Sequence, residues 1–277
     1  HVGHGGAARG GATVRAVVET VTIVHHRGIR AVLVHGGGPQ LDDVTAKLGV
    51  QTRMVQGRRV TDASAIDATS MVLNGLINTQ LVALCRSFGI SAIGIGGIDG
   101  GLVQAHRRAP VTLASGEVVD YGQVGDIDGI DGSVVTRLLD SGFLPVVSPL
   151  SCDYSGQLLN INADTVAAAI GGALVAEKLI LCTGAPGILE RVDDPQSLIS
   201  YTDLAGLHRL REKGAITDGM LPKSSAIEAA IRGGVRRVHV ISYAETDSLL
   251  AEIFTNEGKG TLVVADTKAL TAAEQGQ

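Results

Sequence analysis

Ala31-Val32-Leu33-Val34-His35-Gly36-Gly37-Gly38-Pro39 is an apolar run that ends in three consecutive glycines. Four apolar residues bounded by a glycine turn read as a short buried strand. A helical pattern follows over 40–48, and Gly49 stops it. Upstream, Val14, Val17, Val18, Val21 and Val24 recur at helical spacing over 13–26, and Gly28 closes that helix. Helix, strand, glycine turn and helix in this order predict an α/β fold.

The alternation continues downstream. Thr61-Asp62 caps a helix over 63–73, which runs on toward Phe88 with a break at Gly75. A strand over 91–95, hairpins within 102–128, a helix over 134–141 and a strand over 144–149 follow. In the second half the pattern predicts helices over 165–175, 204–213, 224–232 and 248–254. Between them come strands over 178–182, 237–241 and 258–264. The tail beyond Asp266 is rich in Ala, Thr and Gln and is expected to fray. No linker rich in Pro, Ser or charge divides the chain. The expectation is a single domain with an N-lobe over about 1–155, a C-lobe over about 156–264 and a tail over 265–277.

The 277 residues are 45% hydrophobic and 18% charged, as in a folded protein and unlike a disordered one. Glycine is abundant at 37 residues, aromatics make up 3% and Trp is absent, so Val, Ile, Leu and Ala must build the core. That core suits buried parallel strands flanked by Ala-rich helices. A net charge of −5 with no dominant basic tract argues against a nucleic-acid partner. The pairs Arg58-Arg59, Arg107-Arg108 and Arg236-Arg237 read as solvated surface charges, with Arg59 an exception taken up below. No run of consecutive apolar residues approaches the ~20 that cross a bilayer, so no membrane partner is expected. Cys85, Cys152 and Cys182 make no ligand pattern, so no metal site is expected and a reducing cytoplasm is the natural location. The chain opens with His1-Val2-Gly3-His4-Gly5-Gly6, which reads as a strand end entering a glycine turn, with native sequence expected upstream.

Three junctions carry chemistry. Asn160-Ile161-Asn162-Ala163-Asp164 sets an amide and a carboxylate where a strand meets a helix, amid free N–H groups and a positive dipole end. Gly219-Met220-Leu221-Pro222-Lys223 places a lysine at a glycine loop before a helix, which suits a phosphate. Gly36-Gly37-Gly38 lets backbone approach a ligand with no Cβ in the way. Together they point to phosphoryl transfer, although neither the P-loop nor the dinucleotide fingerprint is present.

Each residue also has a plainer reading, and both stand at this point. The glycines could form a tight turn. Arg59 could pair with Asp62 at the surface or clamp a substrate carboxylate. Asp164 could be a helix N-cap or a buried carboxylate that orients lysines or metal-bound phosphate. Asn160 could fix a turn or bond a ligand, and Lys223 could be solvated or neutralise a transferring phosphoryl group.

The arrangement of the blocks is more specific than any one of them. Val34–Pro39, Gly57–Asp62, Asp120-Tyr121-Gly122-Gln123-Val124-Gly125-Asp126, Asn160–Asp164, Ala176–Leu179, Gly219–Lys223, Glu252–Thr255 and Gly258–Thr261 occur in order over about 1–264. In this the chain resembles the acetylglutamate kinases of the amino acid kinase superfamily. The resemblance implies a three-layer αβα sandwich with a mainly parallel central sheet of about eight strands. It implies an N-lobe for N-acetyl-L-glutamate, a C-lobe for ATP with Mg2+, and an acyl-phosphate product in arginine biosynthesis. It also implies a homodimer or higher homo-oligomer.

Residue by residue, Gly37 and Gly38 match the glycines that contact the acyl substrate, and Arg59 matches the arginine on its α-carboxylate. Asn160 matches a further substrate ligand, and Asp164 matches the organiser of the catalytic lysines. Lys223 matches the lysine that stabilises the transition state, with Gly5, Gly6 and Gly219 beside the nucleotide phosphates. Two positions depart. Gly3 stands where the family has a lysine, and Gly184, in Thr183-Gly184, stands where it has an aspartate. Loss of a preorganised charge costs roughly 10²–10³ in rate. His4 and Arg9 are nearby cations that could substitute. The second reading implied is a non-catalytic homologue that binds the metabolite.

Overall fold

Leu33–Val34 is a strand that pairs in parallel with Val146 and Val147, within the strand Leu144–Ser148. Ala92–Gly96 pairs in parallel along the other side of Leu144–Ser148. All five residues of that central strand are buried, as a strand covered on both faces requires. This computed structural model describes residues 7–50, 53–55, 58–113, 115–216, 219–243, 248–254 and 259–269.

The chain separates into two compact units. One holds residues 28–166; the other gathers the described parts of 1–27 and 167–277. The first carries the sheet above together with a four-stranded sheet in the order Leu158–Asn160, Leu150–Cys152, Val103–Arg107, Gly125–Ile130. The second carries a four-stranded sheet in the order Lys178–Thr183, Arg237–Ser242, Thr261–Val264, Tyr201–Asp203.

Layering follows from strand alternation. On Arg237–Ser242, Val238 and Val240 join a core with Ala226, Ile227, Ala230 and Ile231 of the helix Leu221–Arg232. His239 turns to the opposite face, where it meets Glu252 of the helix Ser248–Phe254. The sheet is thus covered on both sides, the αβα sandwich. The parallel ladders are Leu33–Val34 and Ala92–Gly96 on Leu144–Ser148, Lys178–Thr183 on Arg237–Ser242, and Tyr201–Asp203 on Thr261–Val264. Arg237–Ser242 on Thr261–Val264 is antiparallel, so these two sheets are mostly parallel; the four-stranded sheet of the first unit has one parallel ladder, Leu150–Cys152 on Val103–Arg107, between two antiparallel ones. Among the described residues these sheets hold three and four strands, in place of one run of about eight.

Two elements differ from the sequence pattern. The helix after Asp62 does not break at Gly75. It runs as α-helix Ala63–Ser70, π-helix Met71–Asn78 and α-helix Thr79–Ser87. The wider π turns absorb the glycine without a kink and bring Asn74 and Asn78 to the sheet. There Ser148 donates to Asn74 Oδ1, and Asn78 Nδ2 donates to the Val146 carbonyl at 2.9 Å. This run is long and apolar enough by composition to cross a membrane, with a mean hydropathy of 1.3, a length the count of consecutive apolar residues did not register. Its Val72, Leu73, Ile77 and Leu81 are core residues of the protein. The second difference is a set of three-residue strands, Leu150–Cys152, Leu158–Asn160 and Tyr201–Asp203, which the sequence pattern did not reveal.

Candidate functional site

The glycine loop is held from behind by a buried histidine. His35 N–H continues the ladder to the Val147 carbonyl at 3.0 Å, and its side chain is fully buried. Its Nδ1 lies 3.0 Å from the Gly36 carbonyl, and its Nε2 lies 3.1 Å from Asn78 Nδ2. A proton on Nδ1 satisfies both contacts: Nδ1–H donates to Gly36, and Nε2 accepts from Asn78. Gly37 is then pressed against the π-helix, because a Cβ there would collide with the end of Ile77 and lie 2.9 Å from Leu73 Cδ2. Gly38 opens the helix Gly38–Lys47 with its outer side clear, so its backbone is accessible.

Arg59 faces this helix. Its guanidinium donates from Nη2 to Asp42 Oδ1 at 2.6 Å, and its side chain is only 10% exposed. The expected partner, Asp62, does other work: it accepts from Ala65 N–H at 2.8 Å and from Ser64, as the N-cap of Ala63–Ser70. Those bonds hold the Asp62 carboxyl below the usual carboxylate range, Ala65 contributing most. Arg59 is therefore no solvated surface charge, and its Nη1 is buried with no hydrogen-bond partner. A buried donor of this kind calls for an acceptor.

Asn160, Thr61 and Gln123 interlock beside it. Gln123 N–H donates to the Thr61 carbonyl at 2.6 Å, and Asn160 N–H donates to the Gln123 carbonyl at 2.9 Å. Asn160 Nδ2 reaches Thr61 Oγ1 at 3.3 Å. Gly122 is required here, with φ at 73°, because a Cβ would strike the Thr61 carbonyl. Sequence reasoning missed His35, Asn78, Asp42 and Gln123. For His35 and Gln123 the one available signal was a polar residue between apolar or glycine neighbours; Asn78 and Asp42 carried none.

Asp164 is not a helix cap. The helix Ala163–Ala173 is capped by Asn162, whose Oδ1 accepts from Thr165 N–H at 3.1 Å. Asp164 lies in the first turn and is 6% exposed, a carboxylate withdrawn from solvent at the positive end of the helix.

In the other unit Lys223 is not on a loop. The helix starts at Leu221, so Lys223 sits in its first turn with Pro222 beside it, and it is 6% exposed. Gly219 precedes the helix, exposed and with nothing near the position of a Cβ. A buried cation among helix N-terminal amides suits phosphate oxygens. Its neighbour Ser224 is tied to Arg211 Nε at 3.0 Å, and Arg211 Nη1 bonds Glu228 at 2.8 Å.

Gly184 follows the strand Lys178–Thr183 directly, and its missing side chain has a structural counterpart. A Cβ at this position would lie 2.9 Å from the Tyr243 hydroxyl oxygen, so the phenol occupies the space a side chain would take. Gly3, Gly5, Gly6 and His4 lie outside the described residues, as does the side chain of Arg9. Among the described residues no group of three or more His, Cys, Asp or Glu could hold a metal ion.

An αβα fold of mainly parallel strands, with one glycine loop beside a buried arginine and a buried lysine in a helix first turn, defines the class: α/β proteins whose helix N-termini are suited to anions. The chain belongs to the amino acid kinase family, whose model matches residues 3–242. It is 43% identical over 267 residues to an acetylglutamate kinase of Myxococcus xanthus, covering 95% of this chain and 87% of that one. It is 41% identical over 249 residues to an acetylglutamate kinase of Archaeoglobus fulgidus, covering 89% and 86%. Among solved structures, N-acetylglutamate synthase from Neisseria gonorrhoeae, complexed with coenzyme A and N-acetyl-glutamate, superimposes with a TM-score of 0.78. That match is at 26% identity and covers 92% of this chain and 57% of that longer one. The carbamate kinase of Giardia lamblia shares the fold, with a TM-score of 0.64 at 17% identity, over 96% of this chain and 95% of that one.

Proposed function

We propose that this protein is an acetylglutamate kinase: it transfers the γ-phosphoryl group of ATP to the side-chain carboxylate of N-acetyl-L-glutamate, a step of arginine biosynthesis. The observation that carries the reading is Arg59, a buried guanidinium with one nitrogen unpartnered, tied through Asp42 to the helix that the glycine loop opens. The acetylglutamate kinases at 41–43% identity over most of the chain support it.

In this reading Gly37, Gly38, Arg59 and Asn160 hold the acyl substrate, with Arg59 on the α-carboxylate. The unit of residues 28–166 takes the acyl substrate and the other unit the nucleotide. Lys223 binds the transferring phosphoryl group, Gly5, Gly6 and Gly219 serve the nucleotide phosphates, and Asp164 is the catalytic carboxylate. A carboxylate oxygen forms the new P–O bond, the bond between the γ-phosphorus and the bridging oxygen breaks, and ADP departs with that electron pair. The nucleophile is already ionised at neutral pH, so no general base is needed. Positioning and charge stabilisation supply the rate. Mg2+ carried on the nucleotide phosphates would neutralise part of their charge. Assembly as a homodimer or larger oligomer in the cytoplasm belongs to the same proposal.

The second reading, a non-catalytic homologue, draws on Gly3 and Gly184, which stand where the family carries charge. A hydroxylamine trap for the acyl phosphate separates the two. With MgATP and N-acetyl-L-glutamate the wild type gives hydroxamate, and Lys223→Ala lowers the rate by about 10²–10³. A flat baseline in the wild type, with the metabolite still bound, would establish the non-catalytic reading.

A further inference from the structure

The side-chain oxygen of Gln123 is buried and has no hydrogen-bond partner. Its residue is fixed on both sides by main-chain bonds, to Thr61 at 2.6 Å and from Asn160 at 2.9 Å. Tyr121 and Val124 pack together with Val60 in one small apolar cluster. Gly122, in the left-handed region, breaks the alternation between Tyr121 and Val124, which leaves Gln123 directed away from that cluster. On the strand Arg58–Val60, Val60 faces the cluster, so Arg59 and Thr61 face the other way. Arg59, Thr61, Gln123 and the Asn160 side chain therefore share one side.

That side offers an unmet donor, Arg59 Nη1, and an unmet acceptor, Gln123 Oε1. Buried polar groups in folded proteins find partners, so the pair describes its missing ligand: a carboxylate for the arginine and an N–H for the glutamine. We infer that Gln123 is a specificity-determining residue that accepts a hydrogen bond from the amide N–H of an N-acylated amino acid. This rests on the proposed substrate class and adds a residue and a chemical preference to it. A site that presents a buried acceptor rejects a ligand lacking the donor more strongly than apolar contacts could.

The probe is calorimetric titration with N-acetyl-L-glutamate and with 2-acetoxyglutarate, in which an ester oxygen replaces the N–H. Wild type is expected to favour the amide by about tenfold, the usual weight of one hydrogen bond with a buried partner. Gln123→Met keeps the length and loses the acceptor, and should bring the two affinities together. Gln123→His offers a ring nitrogen as acceptor and should keep a preference. Because general damage weakens both ligands alike, the ratio reports the hydrogen bond alone. Equal wild-type binding of amide and ester would overturn the inference with no variant required, and so would an amide preference that survives in Gln123→Met. If the wild type bound neither ligand, the proposed substrate class itself would fall, and this inference with it.

Discussion

Replacing Arg59 with alanine separates binding from folding. In the free protein the guanidinium has one partner, Asp42, whose side chain is 61% exposed, while Nη1 is buried and unpartnered. Losing an ion pair with so exposed a carboxylate costs about 0–1 kcal/mol. Removing a buried donor with no partner relieves a desolvation penalty of about 1–3 kcal/mol. The unliganded variant should therefore unfold within about 1 kcal/mol of wild type. Bound to N-acetyl-L-glutamate, the same group makes a charge-assisted bond worth about 2 kcal/mol, so Kd should rise about 30-fold. Thermal unfolding then gives a second reading. A ligand at 100 times the wild-type Kd stabilises by about 2.7 kcal/mol, and after a 30-fold loss the same concentration gives only about 0.9 kcal/mol. Titration calorimetry and ligand-dependent melting both follow this. An Arg59→Ala variant that binds as tightly as wild type, or that loses several kcal/mol without ligand, would refute the assignment of Nη1 to a substrate carboxylate.

Two further outcomes concern the other unit. Burial favours protonation of Glu252, but its hydrogen bond and charge interaction with His239, the Gly260 N–H and nearby Lys178 together outweigh it and hold the carboxyl below its ordinary value of 4.5. A group with a lowered folded pKa stabilises above its unfolded value, and that stability is lost as pH falls through the folded one. Glu252→Gln should cost about 2 kcal/mol at pH 7 by urea unfolding, with the gap to wild type closing below about pH 4.5; a pH-independent gap would show that the charge is irrelevant. Gly184→Asp should force the Tyr243 phenol aside, so its cost should be relieved in the Tyr243→Ala background. A double-mutant cycle by thermal unfolding should show coupling of about 0.5–3 kcal/mol, and additivity within about 0.3 kcal/mol would mean that the phenol does not fill that space.

The strands and helices that the sequence declared are those long enough to show a period. Leu144–Ser148 and Lys178–Thr183 stand out as apolar runs, and Leu204–Glu212 and Leu221–Arg232 as helical patterns. Leu150–Cys152, Leu158–Asn160 and Tyr201–Asp203 are three residues each, too short for a period of two to register against chance. Helix starts were misplaced where side-chain identity allowed several caps. Asp164 is a good cap by type, yet Asn162, two residues earlier, does the capping and leaves the aspartate inside the turn. The π segment Met71–Asn78 was invisible because its register is set by Asn74 and Asn78 meeting a sheet some seventy residues away in sequence.

The candidate site was legible to a different degree at each residue, and the reason is physical. Glycines and a lysine at element junctions announce themselves, because backbone freedom and charge are properties of the residue type. The status of Arg59 and Gln123 is a property of what surrounds them. Among the described residues five buried side-chain atoms lack a partner: Gln40 Oε1, Arg59 Nη1, Gln123 Oε1, Arg211 Nη2 and His239 Nε2. The last two belong to side chains already engaged, Arg211 by Ser224 and Glu228, and His239 by Glu252. The other three fall on the helix opened by the glycine loop, on the strand facing it and on the segment locked to Asn160. A folded chain pays to bury polar atoms unpaired, so such a concentration persists where a ligand completes the bonding. Mixed donors and acceptors argue against a plain anion site, which would need donors alone. They favour a molecule that carries both a carboxylate and an N–H.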